Sequence, residues 1–281
     1  MMNDNKGSWT GCLAHHGGCV LNVQRFAEID STNAEALRQL KSLAEGEHCA
    51  PSALIAESQT AGRGRRGRAW LSKPGAGLYL SLVRTFSLKP DALQGLSLVV
   101  GLAVQSALTL LGANEIKLKW PNDIIHKGRK LGGILLELRQ VGDLSHVVMG
   151  IGINSNLADQ ELLSLDRPTV DLSRIIGSEI DKEALCVGLL NQLSKDIDQF
   201  IVHGFESFIV RWNEADYYLG KSVTVLQGQE CLQGVSCGVD ATGALMLKQA
   251  TAKDQTGSKG EDTMLRFEGG ELSPSLRAEG E

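Results

Sequence analysis

Apolar positions along this chain alternate, cluster or recur at helical spacing. They separate a helix-and-strand part from a strand-only part. In "IDSTNAEALRQLKSLAEGE", Leu37, Leu40 and Ala44 share one helical face, and Thr32 with Glu35 has capping-box spacing, so a helix is predicted to start there. "ALIAE" (53–57) is an apolar run short enough for a buried strand, and "GLYLSLVRTF" (77–86) is a longer, partly alternating one. Residues 90–112, "PDALQGLSLVVGLAVQSALTLLG", predict a core helix. Strand-like runs follow at 115–120, 130–138 and 146–154, with a turn signal in "HKGRK" (126–130). Helical spacing returns over 181–215 through Leu185, Leu189, Leu190 and Leu193, then Phe205, Phe208 and Trp212.

After "YYLG" (217–220) the texture changes. "KSVTVLQ", "CLQGVSCGVD", "GALMLKQ" and "MLRFEGGEL" are short strands between Gly-rich turns, as in a small β-barrel or sandwich. The expected organisation is a polar, flexible leader (1–21), an α+β domain with a mixed β-sheet covered by helices (22–218), and an all-β module (219–281). Residues 251–262 are expected to form a mobile hairpin loop.

The chain's 281 residues, 42% of them hydrophobic, suffice for a substantial core. A net charge of −5 argues against a general nucleic-acid binder, which needs a basic face. The most apolar window, Leu96–Gly112, is short for a bilayer span and is interrupted by Ser97 and Gln105, so it reads as a buried helix. The six cysteines form no CxxC pair, which suits reduced thiols in a cytoplasm. No signal peptide is visible. Cys12, His15, His16 and Cys19 crowd together, but their spacing matches no standard zinc finger, and a flexible segment is the plainer reading.

The segment "TAGRGRRGRAW" (60–70) concentrates four arginines among glycines. Gly62, Gly64 and Gly67 spell GxGxxG, but Pro74 and two further glycines follow where a helix should open, and no acid stands about twenty residues on, so a dinucleotide fold is rejected. An RGG-like nucleic-acid arm would be repeated, and this segment occurs once. A solvated basic loop is the bland alternative. The reading that explains both residue types is an anion lid. Glycines bring backbone N–H groups close, arginines fork onto carboxylate or phosphate oxygens, and a bound anion relieves their mutual repulsion. Two anions about 4 Å apart repel by about 4 kcal/mol at an effective dielectric near 20, so a reaction that joins them needs such a lid.

"EIDSTN", "AESQTAGRGRRGRAW", "GLYLSL", "KWPNDI", "KLGGIL" and "GIGIN" occur in the order and spacing of biotin–protein ligases, which the chain resembles from Phe26 to Asn154 and more loosely through "RW" (211–212) to "GGEL" (269–272). The resemblance implies a mixed-sheet catalytic domain with a C-terminal SH3-like barrel. It implies a ligase that forms biotinyl-5′-AMP from biotin and Mg-ATP, then passes biotin to a lysine on the biotin carrier domain of a carboxylase, with no tightly bound cofactor. It also implies roles for individual residues. Ser31, Thr32, Asn33 and Gln59 would meet the biotin ureido ring, although Thr32 could be a simple N-cap. Arg63, Gly64 and Arg65 would reach the biotin carboxyl and the phosphate, with Gly62, Arg66, Gly67 and Arg68 completing the lid on the ATP side. Trp70 would stack on adenine or else anchor the core, Asn122 would bond adenine, and Asn154 would close over it. Asp123 would hold magnesium, take a proton from the incoming lysine or brace its turn. Lys130 would hold the anhydride oxygens. Gly132, Gly133, Gly150 and Gly152 would let a flat ligand lie on the sheet.

Only 25 residues precede Phe26, too few for the winged helix of the repressor members, so no specific DNA binding is expected. A lipoate–protein ligase of the same fold is the alternative enzyme, and a nucleic-acid binder is the alternative from another class. A side-by-side homodimer through an exposed sheet edge is implied, with "SHVVMGIGIN" (145–154) as the candidate edge.

Overall fold

The computed structural model describes residues 9–14, 20–227, 229–249 and 262–273. The helix-and-strand part builds β1 (Trp9–Ala14), β2 (Val20–Phe26), α1 (Thr32–Leu40), β3 (Ser52–Ala56), β4 (Gly77–Phe86), α2 (Leu96–Leu110), β5 (Ile116–Lys119), β6 (Asp123–His126), β7 (Arg129–Val141) and β8 (Leu144–Asn154). Next come α3 (Asp159–Ser164), α4 (Leu172–Ile176), α5 (Lys182–His203) and α6 (Ile209–Ala215). The strands form one sheet in the order β1-β2-β3-β4-β8-β7-β6-β5. Only β2 and β3 run parallel; the other neighbours are antiparallel, so the sheet is mixed.

Alternation along β4 and β8 assigns the two faces of the sheet. Leu78, Leu80, Leu82, Met149, Ile151 and Ile153 belong to the large core with α2 and α5, whereas Val83 and Val148 pack with Leu54 under Ala36 and Leu40 of α1. The face under α1 is the one that carries the site. The helical stretch Pro90–Leu110, which ends in α2, is long and apolar enough to cross a membrane by composition, but Leu98, Val99, Val100, Leu102, Ala103 and Val104 are buried within that large core.

Two expectations change, and two lie outside the described residues. Residues 9–14 and 20–26 are paired strands, so the leader is not loose there: Leu21 and Val23 alternate into the core, a signal too short to stand out by itself. The cluster Cys12, His15, His16 and Cys19 lies outside the described residues apart from the backbone of Cys12, as do residues 251–261 of the expected loop. The candidate dimer edge is not an edge, because β8 is paired with β4 on one side and β7 on the other along nearly its whole length. It is β7 that outruns its neighbour, since its ladder with β6 ends at Gly133.

From Ser222 the chain forms β9 (Ser222–Gln227), β10 (Glu230–Val239), β11 (Leu245–Gln249), β12 (Thr263–Phe267) and β13 (Glu271–Ser273), an antiparallel sheet in the order β12-β11-β10-β9-β13. This is the expected SH3-like module. It is fastened to the larger sheet beside "KWPNDI": Tyr217 N donates to Leu118 O at 2.8 Å, and the buried Trp120 indole donates to Gly243 O at 3.1 Å.

Candidate active site

Residues 62–70 fold into a hairpin. Trp70 N donates to Gly62 O (2.9 Å) and Gly64 N to Arg68 O (2.7 Å), while Arg66 (φ 57°) and Gly67 (φ 71°) turn the tip through left-handed backbone. A Cβ at Gly62 would stand 2.7 Å from both Ser72 Oγ and Trp70 O, so the base of the hairpin admits only glycine. Two arginines are directed to separate acceptors. Arg65 donates to Asn122 Oδ1 (3.2 Å) and to Gly270 O (3.4 Å), which places the hairpin against both the "KWPNDI" turn and the C-terminal sheet. Arg63 Nη2 lies 3.6 Å from Glu137 Oε1 on β7. Arg66 and Arg68 are exposed.

The start of α1 supplies a polar network on the same sheet face. The N-cap is Ser31, whose hydroxyl accepts from Ala34 N at 3.4 Å; the predicted cap at Thr32 is one residue late. Thr32 instead turns to Gln59, its N–H reaching Oε1 at 2.9 Å, while Gln59 Nε2 donates to Ser72 Oγ (2.9 Å). The fully buried Ser81 hydroxyl of β4 lies 2.7 Å from Thr32 Oγ1 and 2.6 Å from Asn33 Oδ1. Asn33 Nδ2 then donates to Glu137 Oε2 at 2.8 Å. These residues form one connected chain of hydrogen bonds, whose members orient one another.

Protein groups lie over the glycines of β7 and β8. A Cβ at Gly152 would strike the Trp70 indole at 2.6 Å, one at Gly133 would stand 3.3 Å from the same ring, and one at Gly150 would strike Asn33 Oδ1 at 2.3 Å. Trp70 therefore lies on the sheet with its Nε1 buried and without a hydrogen-bond partner. Lys130 Nζ lies 5.4 Å from the Trp70 ring centre and 2.6 Å from Asp123 Oδ1. Asn122, expected at adenine, accepts from Arg65 at Oδ1 (3.2 Å) and donates from Nδ2 to Ile134 O (2.8 Å), so it joins the hairpin to β7. Asn154 spends one N–H on Val170 O at 3.3 Å. Burial, then the charges of the Tyr217 phenolate and the Asp123 and Asp216 carboxylates, push the Tyr218 phenol up to about 12, so it stays neutral.

One cavity is lined by Ser31, Thr32, Asn33, Gln59, Arg63, Gly64, Arg65, Arg66, Arg68, Trp70, Asn122, Asp123, Lys130, Gly133, Gly150, Gly152 and Asn154. Gly62 and Gly67 shape the hairpin from outside it, and Gly132 likewise stands outside. Sequence reading missed Lys119, Leu157, Asp166, Arg167 and Gly270 in the walls, and Ser72, Ser81 and Glu137 behind them. Glu137 had a signal, since it stands on the β7 face of Gly133. Gly270 had none. Among the described residues no cluster of three or more His, Cys, Asp or Glu side chains could hold a metal ion, and Asp123 is engaged by Lys130.

The model of the biotin/lipoate A/B protein ligase family matches residues 26–154. The bifunctional ligase/repressor BirA of Escherichia coli is 38% identical over 222 residues, covering 79% of this chain and 67% of that protein. A biotin–[acetyl-CoA-carboxylase] ligase of Mycobacterium tuberculosis is 33% identical, covering 79% of this chain and 81% of that one. The biotin protein ligase of Aquifex aeolicus, solved with biotin and ATP, superposes with a TM-score of 0.68 at 29% identity, over 89% of this chain and 97% of the other. The likeness spans both sheets and the lid between them: this chain belongs to the biotin–protein ligase family.

Proposed function

We propose that the cavity carries out a nucleotidyl transfer and then an acyl transfer, with the residues placed as follows. The chain is an ATP-dependent biotin–protein ligase. In the first step a biotin carboxylate oxygen attacks the α-phosphorus of ATP, forming the mixed anhydride biotinyl-5′-AMP and releasing pyrophosphate. In the second a lysine amine attacks the acyl carbon, an amide forms, and AMP leaves with the bonding electrons.

One observation carries the reading. A neutral polar network and a set of cations meet in a single cavity. Ser31, Thr32, Asn33 and Gln59 supply hydroxyl and amide groups suited to a ureido ring at the α1 end. Arg63, Arg65 and Lys130 bring positive charge to where carboxylate and phosphate must meet, with Gly64 letting the backbone approach and Gly133, Gly150 and Gly152 thinning the floor. Trp70, Asn122, Asn154, Arg66 and Arg68 form the nucleotide side, where the buried, unpaired Trp70 N–H is a donor in need of a partner.

Magnesium enters with the ATP phosphates as part of the substrate, and Asp123 and Asp166 are the carboxylates lining the cavity. Asp123 commits Oδ1 to Lys130, which leaves Oδ2 to receive a proton from the incoming amine. That help matters, because deprotonating a lysine of pKa about 10.4 costs roughly 4–5 kcal/mol at pH 7. The acceptor is the biotin carrier domain of a carboxylase, and the site of action is the cytoplasm.

Pyrophosphate release from ATP with biotin, and its absence with lipoate, tests the reading. Release with lipoate alone moves the chain to lipoate activation. Release with neither, joined to salt-resistant nucleic-acid binding, leaves the arginine hairpin as a nucleic-acid contact.

A further inference from the structure

We propose that Glu137 on β7 is a positioning residue for adenylation, acting through Arg63 of the lid; this rests on the reading of the cavity as a biotin and ATP site. Glu137 stands four residues beyond Gly133, on the strand face shared with it, paired with Val148 of β8 beneath α1. Its two oxygens face two ways. Oε2 accepts from Asn33 Nδ2 at 2.8 Å, and Oε1 lies 3.6 Å from Arg63 Nη2, an ion-pair distance rather than a hydrogen bond.

The chain of contacts behind Glu137 gives the pair its meaning. Asn33 Oδ1 meets Ser81, Ser81 meets Thr32, Thr32 meets Gln59, and Gln59 donates to Ser72 just past the lid. The hairpin is thereby tied to one polar chain at two points near its base: through Ser72 just beyond it and through Arg63 on its first strand. Glu137 is the member of that chain that carries negative charge. A guanidinium has five N–H groups in a rigid fork, so holding one edge leaves the others aimed at a carboxylate or phosphate. The pair is partly exposed, at 45% for Arg63 and 26% for Glu137, so its contribution to stability is small. Its effect lies in where the fork points.

Glutamine separates the two roles. It can still accept from Asn33 Nδ2, but it offers no charge to Arg63. The experiment measures pyrophosphate release by the full chain at varied biotin and saturating ATP for wild type, Glu137→Gln, Arg63→Ala and the double variant, with thermal melts of each. Glu137→Gln is expected to raise the biotin KM about threefold while kcat stays within about twofold and the melting temperature is unmoved. On the Arg63→Ala background the same change is expected to add nothing. An unaltered KM, or the same rise with and without Arg63, overturns the proposal and leaves Glu137 as a brace for Asn33. A wild-type chain that releases no pyrophosphate with biotin and ATP overturns instead the reading of the cavity itself.

Discussion

At the residue scale, the proposed function makes adenylate retention depend on single side chains. Arg65 joins the hairpin to Asn122 and to Gly270, so losing its guanidinium removes that attachment as well as the charge proposed to meet the phosphate. A charged hydrogen bond lost here costs roughly 1.5–3 kcal/mol, or about ten- to a hundredfold in retention. Arg65→Gly should therefore still form the adenylate but release it, so that bystander proteins become biotinylated. Comparing biotin incorporation into a carrier domain and into an unrelated protein checks this, and full selectivity in the variant would refute it. Asp123→Ala should slow transfer more than adenylation, because it removes the proposed proton acceptor and leaves Lys130 without its partner at 2.6 Å. Single-turnover assays that separate the two steps decide the point. At this scale the sequence was legible for groups whose chemistry advertises itself, such as clustered arginines. Ser81 was not, since one serine in an apolar strand gives no sign that it lies between Thr32 and Asn33.

Elements decide whether the lid exists at all. Two glycines of the hairpin make opposite predictions. Alanine at Gly62 would place Cβ 2.7 Å from Ser72 Oγ and Trp70 O, whereas at Gly64 the nearest atom is Arg68 O at 3.6 Å, an ordinary contact. Gly62→Ala should therefore open the hairpin and Gly64→Ala should keep it. Hydrogen exchange at the Trp70 and Gly64 amides, both bonded across the hairpin, reads the difference directly. On the opposite face of the sheet the core helices give a prediction about stability. Leu189 of α5 is fully buried in the core it shares with α2, so Leu189→Ala should cost about 2–5 kcal/mol, measured by denaturant unfolding. The periodicity that predicted α2 and α5 was reliable because both bury long apolar stretches. β1 and β2 went unread because their pattern is short and the sheet around them supplies the reason to be extended.

At the scale of the whole molecule the two sheets meet at Asp216, between α6 and β9. Burial pushes its carboxyl up to about 6; the hydrogen bond from Tyr218 N and the charges of Lys221 and Lys117 only partly offset that. Oδ1 accepts from Tyr218 N, and Oδ2 is buried without a partner. The sign follows from proton binding: between the ordinary value of 3.8 and about 6 the folded chain holds a proton the unfolded chain has lost, so stability falls as pH rises through that window. The shift corresponds to roughly 3 kcal/mol at neutral pH. Asp30, held at about 2 mainly by its hydrogen bonds from Arg38, works in the other direction and below that window, losing its stabilisation as pH falls from about 4 toward 2. Asp216→Asn should raise the melting temperature at pH 7.5 and narrow its advantage toward pH 4. An advantage that is flat with pH would show that the carboxylate is not desolvated as described.

Local pattern alone determined the main helices, the central strands, the change to an all-β texture after Tyr218 and the crowding of arginine and glycine into one loop. Those features depend on which residues are neighbours along the chain, through side-chain period, turn chemistry and charge density. Order and spacing of short motifs then carried the resemblance to a family. Tertiary structure alone decided which acceptors receive the arginines, that Trp70 and Asn33 lie over Gly152 and Gly150, that β8 is interior rather than an edge, and that Gly270 closes on Arg65 from 205 residues away. Such contacts join positions with no fixed separation in the chain, and they form because burying each sheet's apolar face brings those polar groups within a few ångströms of one another.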